Sequence, residues 1–270
     1  MREKHGWLTN IDRKKRRDRS QTLTDNQVLQ LIQDIEENPQ YTKLDAKADT
    51  LIRLRDAALI GTDWTWFKRG GEVLNLQNGD VTFEGNEIAL SLIIEKKQKR
   101  VKFCPYCRTK NKPTKNAIKA EFCKNCGKPI GNVELKLIGE PNKRVIKRKK
   151  ITYPFVQPLV KWYKAIQVFK LQPDSWIFPR YHYFSRKFLF NATKPITVQR
   201  FDQILQRLDF TLTSSMFRYG GAEKYLRLGY TPFELKEIGD WSSSKMPEIY
   251  AERKGLSPSQ RKFADDERML

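Results

Sequence analysis

The sequence predicts an α+β chain, mainly helical, with a small antiparallel sheet and a metal-binding ribbon inserted in that sheet. Three observations carry this prediction. Apolar residues recur at helical spacing toward both ends of the chain, and two strand-like runs joined by Gly85-Asn86 lie between Asp80 and Ile94. Beyond them stand two Cys-x2-Cys pairs, Cys104/Cys107 and Cys123/Cys126.

Thr24-Asp25-Asn26-Gln27 has the pattern of a capping box, and Val28, Leu31, Ile32 and Ile35 follow at helical intervals until Pro39. A second helix is expected over Asp49 to Ile60, with Leu51, Ile52, Leu54, Ala58 and Leu59 apolar. Trp64, Trp66 and Phe67 lead into a short helical segment from Arg69 to Leu76. Asp80 to Phe83 and Glu87 to Ile94 read as a hairpin, and the ribbon interrupts the chain at about Val101. Val133 to Ile138 and Lys149 to Phe155 are expected to be strands that carry the chain back. Past Pro158 the pattern is helical over Leu159 to Val168, Val198 to Leu208, Phe217 to Leu228, Phe233 to Ile238 and Pro247 to Arg253. The aromatic cluster from Trp176 to Phe190 reads as core or loop packing.

The formal net charge is +21 and the pI about 9.8. Between Lys96 and Lys150 there are 19 Lys and Arg against three Glu, so this stretch holds +16 of the total. Such a surface repels itself unless it meets phosphates, which points to a polyanionic partner, double-stranded DNA above all. A second basic run, Arg13-Lys14-Lys15-Arg16-Arg17, reads as an arm on nucleic acid or as a solvated tail. No run approaches the roughly 18 apolar residues that span a bilayer, so no membrane partner is expected. The first 20 residues are too charged for a signal peptide, and the expected location is inside the cell, on DNA.

Fifteen residues separate the two cysteine pairs, a spacing that suits a tetrahedral site of four thiolates, with Zn2+ the expected ion. Two disulfides are the competing reading, disfavoured in a reducing compartment. Cys104, Cys107, Cys123 and Cys126 would fill every coordination position, so the zinc would be structural. A ribbon of about 40 residues cannot bury enough apolar surface to fold alone, so the metal should stabilise it by on the order of 10 kcal/mol. Its lysines and arginines suit a grip on nucleic acid backbone, with docking to another protein the second use.

Several short motifs outside the ribbon keep a fixed order. Arg69-Gly-Gly-Glu72-Val-Leu-Asn-Leu76 comes first, then Lys96-Lys97 beyond the hairpin, then Ser215-Met-Phe-Arg218, with Ala222 and Gly229 after it. Ile238-Gly239-Asp240-Trp241 follows, and Tyr250 lies nine residues after Trp241. In these residues the chain resembles the tyrosine recombinases, the phage-integrase family. That family carries Arg-x-x-Glu-Leu-x-x-Leu, a hairpin lysine, His-x-x-Arg, and Leu-Gly-His or Leu-Gly-x-Trp nine residues before a nucleophilic tyrosine. The match spans about residues 22 to 256 without the ribbon.

The resemblance implies a discontinuous catalytic domain over 22–100 and 141–256, with a basic arm at 1–21, the ribbon at 101–140 and a tail at 257–270. It also implies DNA cleavage and rejoining through a 3′-phosphotyrosine at Tyr250, with no cofactor needed for strand transfer. Arg69 and Arg218 would clamp the nonbridging oxygens, and Lys96 or Lys97 would protonate the leaving 5′-oxygen; Lys99 or a residue beyond the ribbon is the remaining choice. Trp241 would pack against the phosphate, and Glu72 would orient its neighbours. Self-association on DNA, as a dimer or tetramer, and a role for a mobile element or virus are further implications.

Two departures stand out. Ser215 occupies the place of the second signature's histidine; the only histidines, His5 and His182, fit no signature. About 20 residues precede the first expected helix, where the family carries a clamp domain, so the arm and ribbon are expected to supply part of the grip. The alternative expectation is therefore a recombinase-derived DNA-binding protein that cleaves weakly or not at all.

Overall fold

The computed structural model describes residues 22–253 apart from 40, 95–98, 112–120, 132, 134–135, 139–142, 183 and 192–193. These residues form two compact units. One runs up to Leu92 and resumes at Ile146; the other is Ile93–Val145.

In the first unit, helix α1 (Asp25–Glu37) starts where Thr24 and Gln27 cap each other's backbone, and it buries Val28, Ile32 and Ile35. Helix α2 (Ala46–Trp66) is capped by the Asp45 side chain. It runs six residues past the expected end at Ile60. The hydroxyls of Thr62 and Thr65 donate back to the carbonyls of Ala58 and Gly61, at 2.6 and 2.7 Å, which satisfies them inside the helix. Every residue of α2 from Arg55 to Trp66 is buried, so it has no solvent stripe whose period could mark its extent. Phe67 closes α2 in the left-handed region, with φ 35°, and Arg69 begins the short helix α3 (Gly70–Leu74).

Strands β1 (Val81–Glu84) and β2 (Glu87–Ile94) pair antiparallel from Val81–Leu90 to Glu84–Glu87. In the second unit β3 (Lys99–Phe103) pairs antiparallel with both β4 (Lys110–Asn111) and β5 (Lys136–Ile138). Strand β6 (Lys143–Lys150) returns the chain beside β2, giving the order β1-β2-β6. The returning strand thus lies upstream of the expected Lys149–Phe155, because residues 151–156 form turns around Pro154, which has no N–H for a ladder.

Helices α4 (Gln157–Ile166), α5 (Val198–Leu208), α6 (Ser214–Arg227), α7 (Pro232–Ile238) and α8 (Lys245–Arg253) complete the first unit. Between α4 and α5 a two-residue pairing of β7 (Tyr181–His182) with β8 (Lys187–Phe188) sits within the aromatic cluster. The long α2 is the axis: α1, α4 and α6 all pack on it. Helix α6 comes close through Gly220 and Gly221, where an added Cβ would lie 2.6 Å from the Trp64 ring and 2.5 Å from Phe67. Among the described residues no helix is long and apolar enough to cross a membrane.

Candidate functional site

Arg218 lies on the first turns of α6, 8% exposed, with its guanidinium held from several sides. Nη1 donates to the carbonyl of Phe67 at 3.4 Å, and Nη2 to the carbonyl of Gly239 at 3.2 Å. The indole of Trp241 lies 4.2 Å from its central carbon, in cation–π contact. The buried Glu72 carboxylate is 3.9 Å from Nη1. Glu72 also receives the Arg69 guanidinium at 2.7 Å and the Arg69 backbone N–H at 3.0 Å, so one carboxylate orients both arginines. The Arg69 side chain remains 44% exposed.

Tyr250, on α8, packs edge-on against Trp241 with ring centroids 6.2 Å apart and against Tyr219 at 5.2 Å. Phe67, Ala222, Leu226, Leu235 and Ala251 complete this small core. Burial lowers the Arg218 pKa, and the charges of Glu72, Arg69, Tyr250 and Asp63 all reach it. Residues separated by 181 positions, Arg69 to Tyr250, thus share one site with Glu72, Arg218 and Trp241. Ser215 is exposed at the start of α6, its hydroxyl 3.0 Å from that of Thr213. Lys96 and Lys97 lie outside the described residues.

Gly239 is sterically required here. A Cβ at that position would lie 1.6 Å from the Trp241 ring. Gly239→Ala must expel the indole from beneath Arg218, and a loss of about 1–3 kcal/mol is expected for such overpacking, read as a lower urea midpoint.

Three charged groups beside the site were not singled out by the sequence. Lys68 is 1% exposed, and its ammonium donates to the Asp240 carboxylate and, at 2.9 Å, to the carbonyl of Ile238. Lys147, on β6, donates to the same two acceptors at 2.9 and 3.2 Å. Burial brings the Lys68 pKa down to about 7, Lys147 pushes the same way, and Asp240 opposes both. Asp240 experiences an upward push from burial that its two lysines outweigh, leaving its carboxyl below the usual range. Nothing in a Lys-Arg pair or in the basic run of β6 distinguishes a buried lysine from an exposed one.

Asp63 is fully buried, and its carboxylate oxygens have no hydrogen-bond partner among the described residues. Burial pushes its pKa well above 3.8, with Arg218 opposing. The folded state therefore keeps a proton that the unfolded chain releases, and stability falls as pH rises from the ordinary carboxylate range toward the raised value. Asp63→Asn is expected to raise the Tm at pH 8 and to flatten this dependence, as melts at pH 5 and pH 8 would read.

In the second unit the four cysteine sulfurs lie within 4.8 Å of one another. Cys104 and Cys126 are 3.5 Å apart, Cys107 and Cys123 3.6 Å. A tetrahedron of thiolates at about 2.3 Å from a zinc ion has its sulfurs about 3.8 Å apart, so the cluster fits that ion. The two knuckles repeat each other. Arg108 N–H donates to Cys104 O and Gly127 N–H to Cys123 O, both at 2.9 Å, and both donor residues have positive φ, 56° and 68°. Ile130 and Val133 pack on the cysteines.

A cavity of about 430 Å³ in the first unit is lined by Arg55, Arg180, Arg200 and Arg207, with no acidic residue in its lining.

No protein-family model matches this chain, and no curated protein does. Solved structures do. The site-specific recombinase XerH bound to its difH substrate, in a pre-cleavage complex, superposes with TM-score 0.50 at 12% identity, over 88% of this chain and 52% of that one. The post-cleavage complex of XerH with palindromic difH gives TM-score 0.53 at 12% identity, over 93% and 54%. The chain spans about half the length of these recombinases. With its mainly helical body, small antiparallel sheet and inserted four-cysteine module, the chain has the tyrosine-recombinase fold.

Proposed function

We propose that this protein is a site-specific DNA recombinase or integrase that serves a mobile element. The observation that carries the reading is the run of contacts from Arg69 through Glu72 to Arg218, from Arg218 to Trp241, and from Trp241 to Tyr250. The Tyr250 oxygen attacks the scissile phosphorus, forming a P–O bond to tyrosine and breaking the bond to the 5′-oxygen. The phenol proton passes to water or a neighbouring side chain. The leaving oxygen takes its proton from Lys96 or Lys97. Arg69 and Arg218 hold the nonbridging oxygens, a planar two-point grip that lysine does not reproduce. The Trp241 indole packs beside the phosphate, and Ser215 donates a hydrogen bond where the family has histidine. A free hydroxyl of a second strand reverses the reaction without ATP, because the bond energy is stored in the phosphotyrosine.

Duplex DNA is the partner, consistent with the +21 charge and the arginine-lined cavity. The XerH structures hold their difH substrate, which supports the same class here. Assembly as a dimer or tetramer on DNA belongs to this reading, as does action inside the cell. The discontinuous domain, 22–100 with 141–256, would carry the chemistry. The arm at 1–21 and the ribbon at 101–140, with a structural Zn2+ on Cys104, Cys107, Cys123 and Cys126, would add backbone grip; the tail is 257–270. Each phosphate neutralised adds about −0.9 to the slope of log affinity against log salt. A steep slope is expected, and a salt-insensitive affinity would contradict backbone contact.

The second reading, a binder that no longer cuts, is favoured by one observation, the serine at position 215. Covalent trapping on a pool of nicked duplexes of randomised sequence decides between them. A denaturant-stable adduct that maps to Tyr250 supports the recombinase; DNA retention without an adduct supports the binder.

A further inference from the structure

Two backbone segments flank the Arg218 guanidinium. The first, Phe67 to Arg69, gives it the Phe67 carbonyl and the Arg69–Glu72 pair. The second, Ile238 to Trp241, gives it the Gly239 carbonyl and the indole face. Each segment is tied to the helix it leaves, Phe67 N–H donating to the Asp63 carbonyl and the Gly239 and Trp241 N–H groups to those of Leu235 and Lys236. The first then turns away from α2 through a left-handed Phe67, and the second from α7 through Asp240, also left-handed, with φ 53°. A residue with a side chain is uncommon in that region and persists only where its surroundings fix it.

Between these segments stands a charge cluster, buried at Lys68 and half-buried at Asp240 and Lys147, that the proposed chemistry does not use. Lys68, in the middle of the first segment, reaches across to Asp240 and to the Ile238 carbonyl. Lys147 arrives from β6 and takes the same carboxylate and the same carbonyl. The cluster therefore joins three stretches of chain far apart in sequence at the residue between Gly239 and Trp241. A partly buried ion pair of this kind is weak evidence for stability; its attested use in some proteins is to select one arrangement of the segments it joins.

We propose that Lys68, Asp240 and Lys147 act as positioning residues, a buckle that sets the distance between the two segments and so holds Arg218 over Trp241. The inference concerns the recombinase reading, but its first measurement is independent of that reading. The Arg218 Nε–H signal in a 15N-labelled protein, assigned by its loss in Arg218→Lys, is expected to be shifted upfield by the Trp241 ring, whose centroid lies 4.2 Å from the guanidinium carbon. At pH 6.5, Asp240→Asn and Lys68→Met are each expected to move that signal toward the random-coil position while the rest of the spectrum stays folded. The double variant Lys68→Leu/Asp240→Gly removes the most buried charge and its carboxylate partner and relieves the positive φ, leaving Lys147, 24% exposed, to turn to solvent; it is expected to stay folded even where the single variants do not. It too is expected to lose the shift.

The second measurement is the rate of Tyr250 adduct formation on the nicked-duplex pool. A fall of about 10²-fold is expected, the scale of a misplacement of about 1 Å, with DNA affinity within twofold of the parent. The conservative Asp240→Glu, which keeps the carboxylate between the two lysines, should restore most of the rate. An unchanged Arg218 signal in the folded double variant would overturn the buckle. If the parent forms no adduct while the signal responds as expected, the recombinase reading falls and the buckle stands.

Discussion

Tyr250→Phe is expected to bind duplex DNA as tightly as the parent and to form no covalent adduct at all. The ring makes its packing contacts with Trp241 and Tyr219 through carbon, and phenylalanine keeps them. Only the oxygen that would bond to phosphorus is gone. Arg218→Ala tests the same assignment from the other side. Two positioned guanidiniums on a phosphate gathering charge are each worth roughly 10²–10³ in rate, so the adduct should form that much more slowly. Arg218→Lys should not rescue it, because an ammonium cannot meet the Phe67 and Gly239 carbonyls and a phosphate with one planar fork. Trapping on the nicked-duplex pool, with the conjugated peptide identified by mass, reads all three variants. An adduct persisting in Tyr250→Phe would remove Tyr250 from the chemistry.

The second large effect concerns the ribbon. Chelation, or Cys123→Ser, is expected to unfold the 93–145 unit while the unit built on α2 keeps its own melting transition. Few side chains sustain the ribbon besides the four cysteines: Ile130 and Val133 are the apolar residues packed against them among those described. Four thiolates binding one zinc supply on the order of 10 kcal/mol, enough to decide whether so small a core folds. Titration with a chromophoric chelator should release one zinc per chain, and amide spectra should lose the ribbon signals at the same stoichiometry. A ribbon that stays folded without metal would refute the structural role.

Much of this was legible in the sequence, and the physical reasons differ by element. The start of α1 was readable because its capping box is local, three residues apart, and its buried face repeats at helical spacing. The gathering of Arg69, Arg218 and Trp241 could be anticipated only through the spacing of motifs, since nothing local to an arginine reveals a partner some 150 residues away. The full length of α2 was hidden because burial on all sides erases amphipathic period. The β7–β8 pairing was hidden because two residues per strand carry no alternation. Lys68 and Asp240 were hidden for a third reason. Their neighbours in sequence, an arginine and a tryptophan, carry the motif resemblance, while the pairing of the charges beside them depends on a meeting of distant segments.

The manner in which the ribbon joins the sheet has its own consequence. It leaves from the end of β2 and comes back through β6, and these strands are immediate neighbours. Adjacent strands sit about 4.8 Å apart, so the host offers two anchor points already at the span of a tight turn. Doubling the length of chain looped between such anchors costs only about 0.6 kcal/mol in closure entropy, and an inserted cassette that forms a compact unit of its own adds little to that. An insertion of this kind can be lengthened, exchanged or trimmed with almost no penalty to the scaffold that carries it, which makes the β2–β6 junction the natural place for chains of this fold to differ.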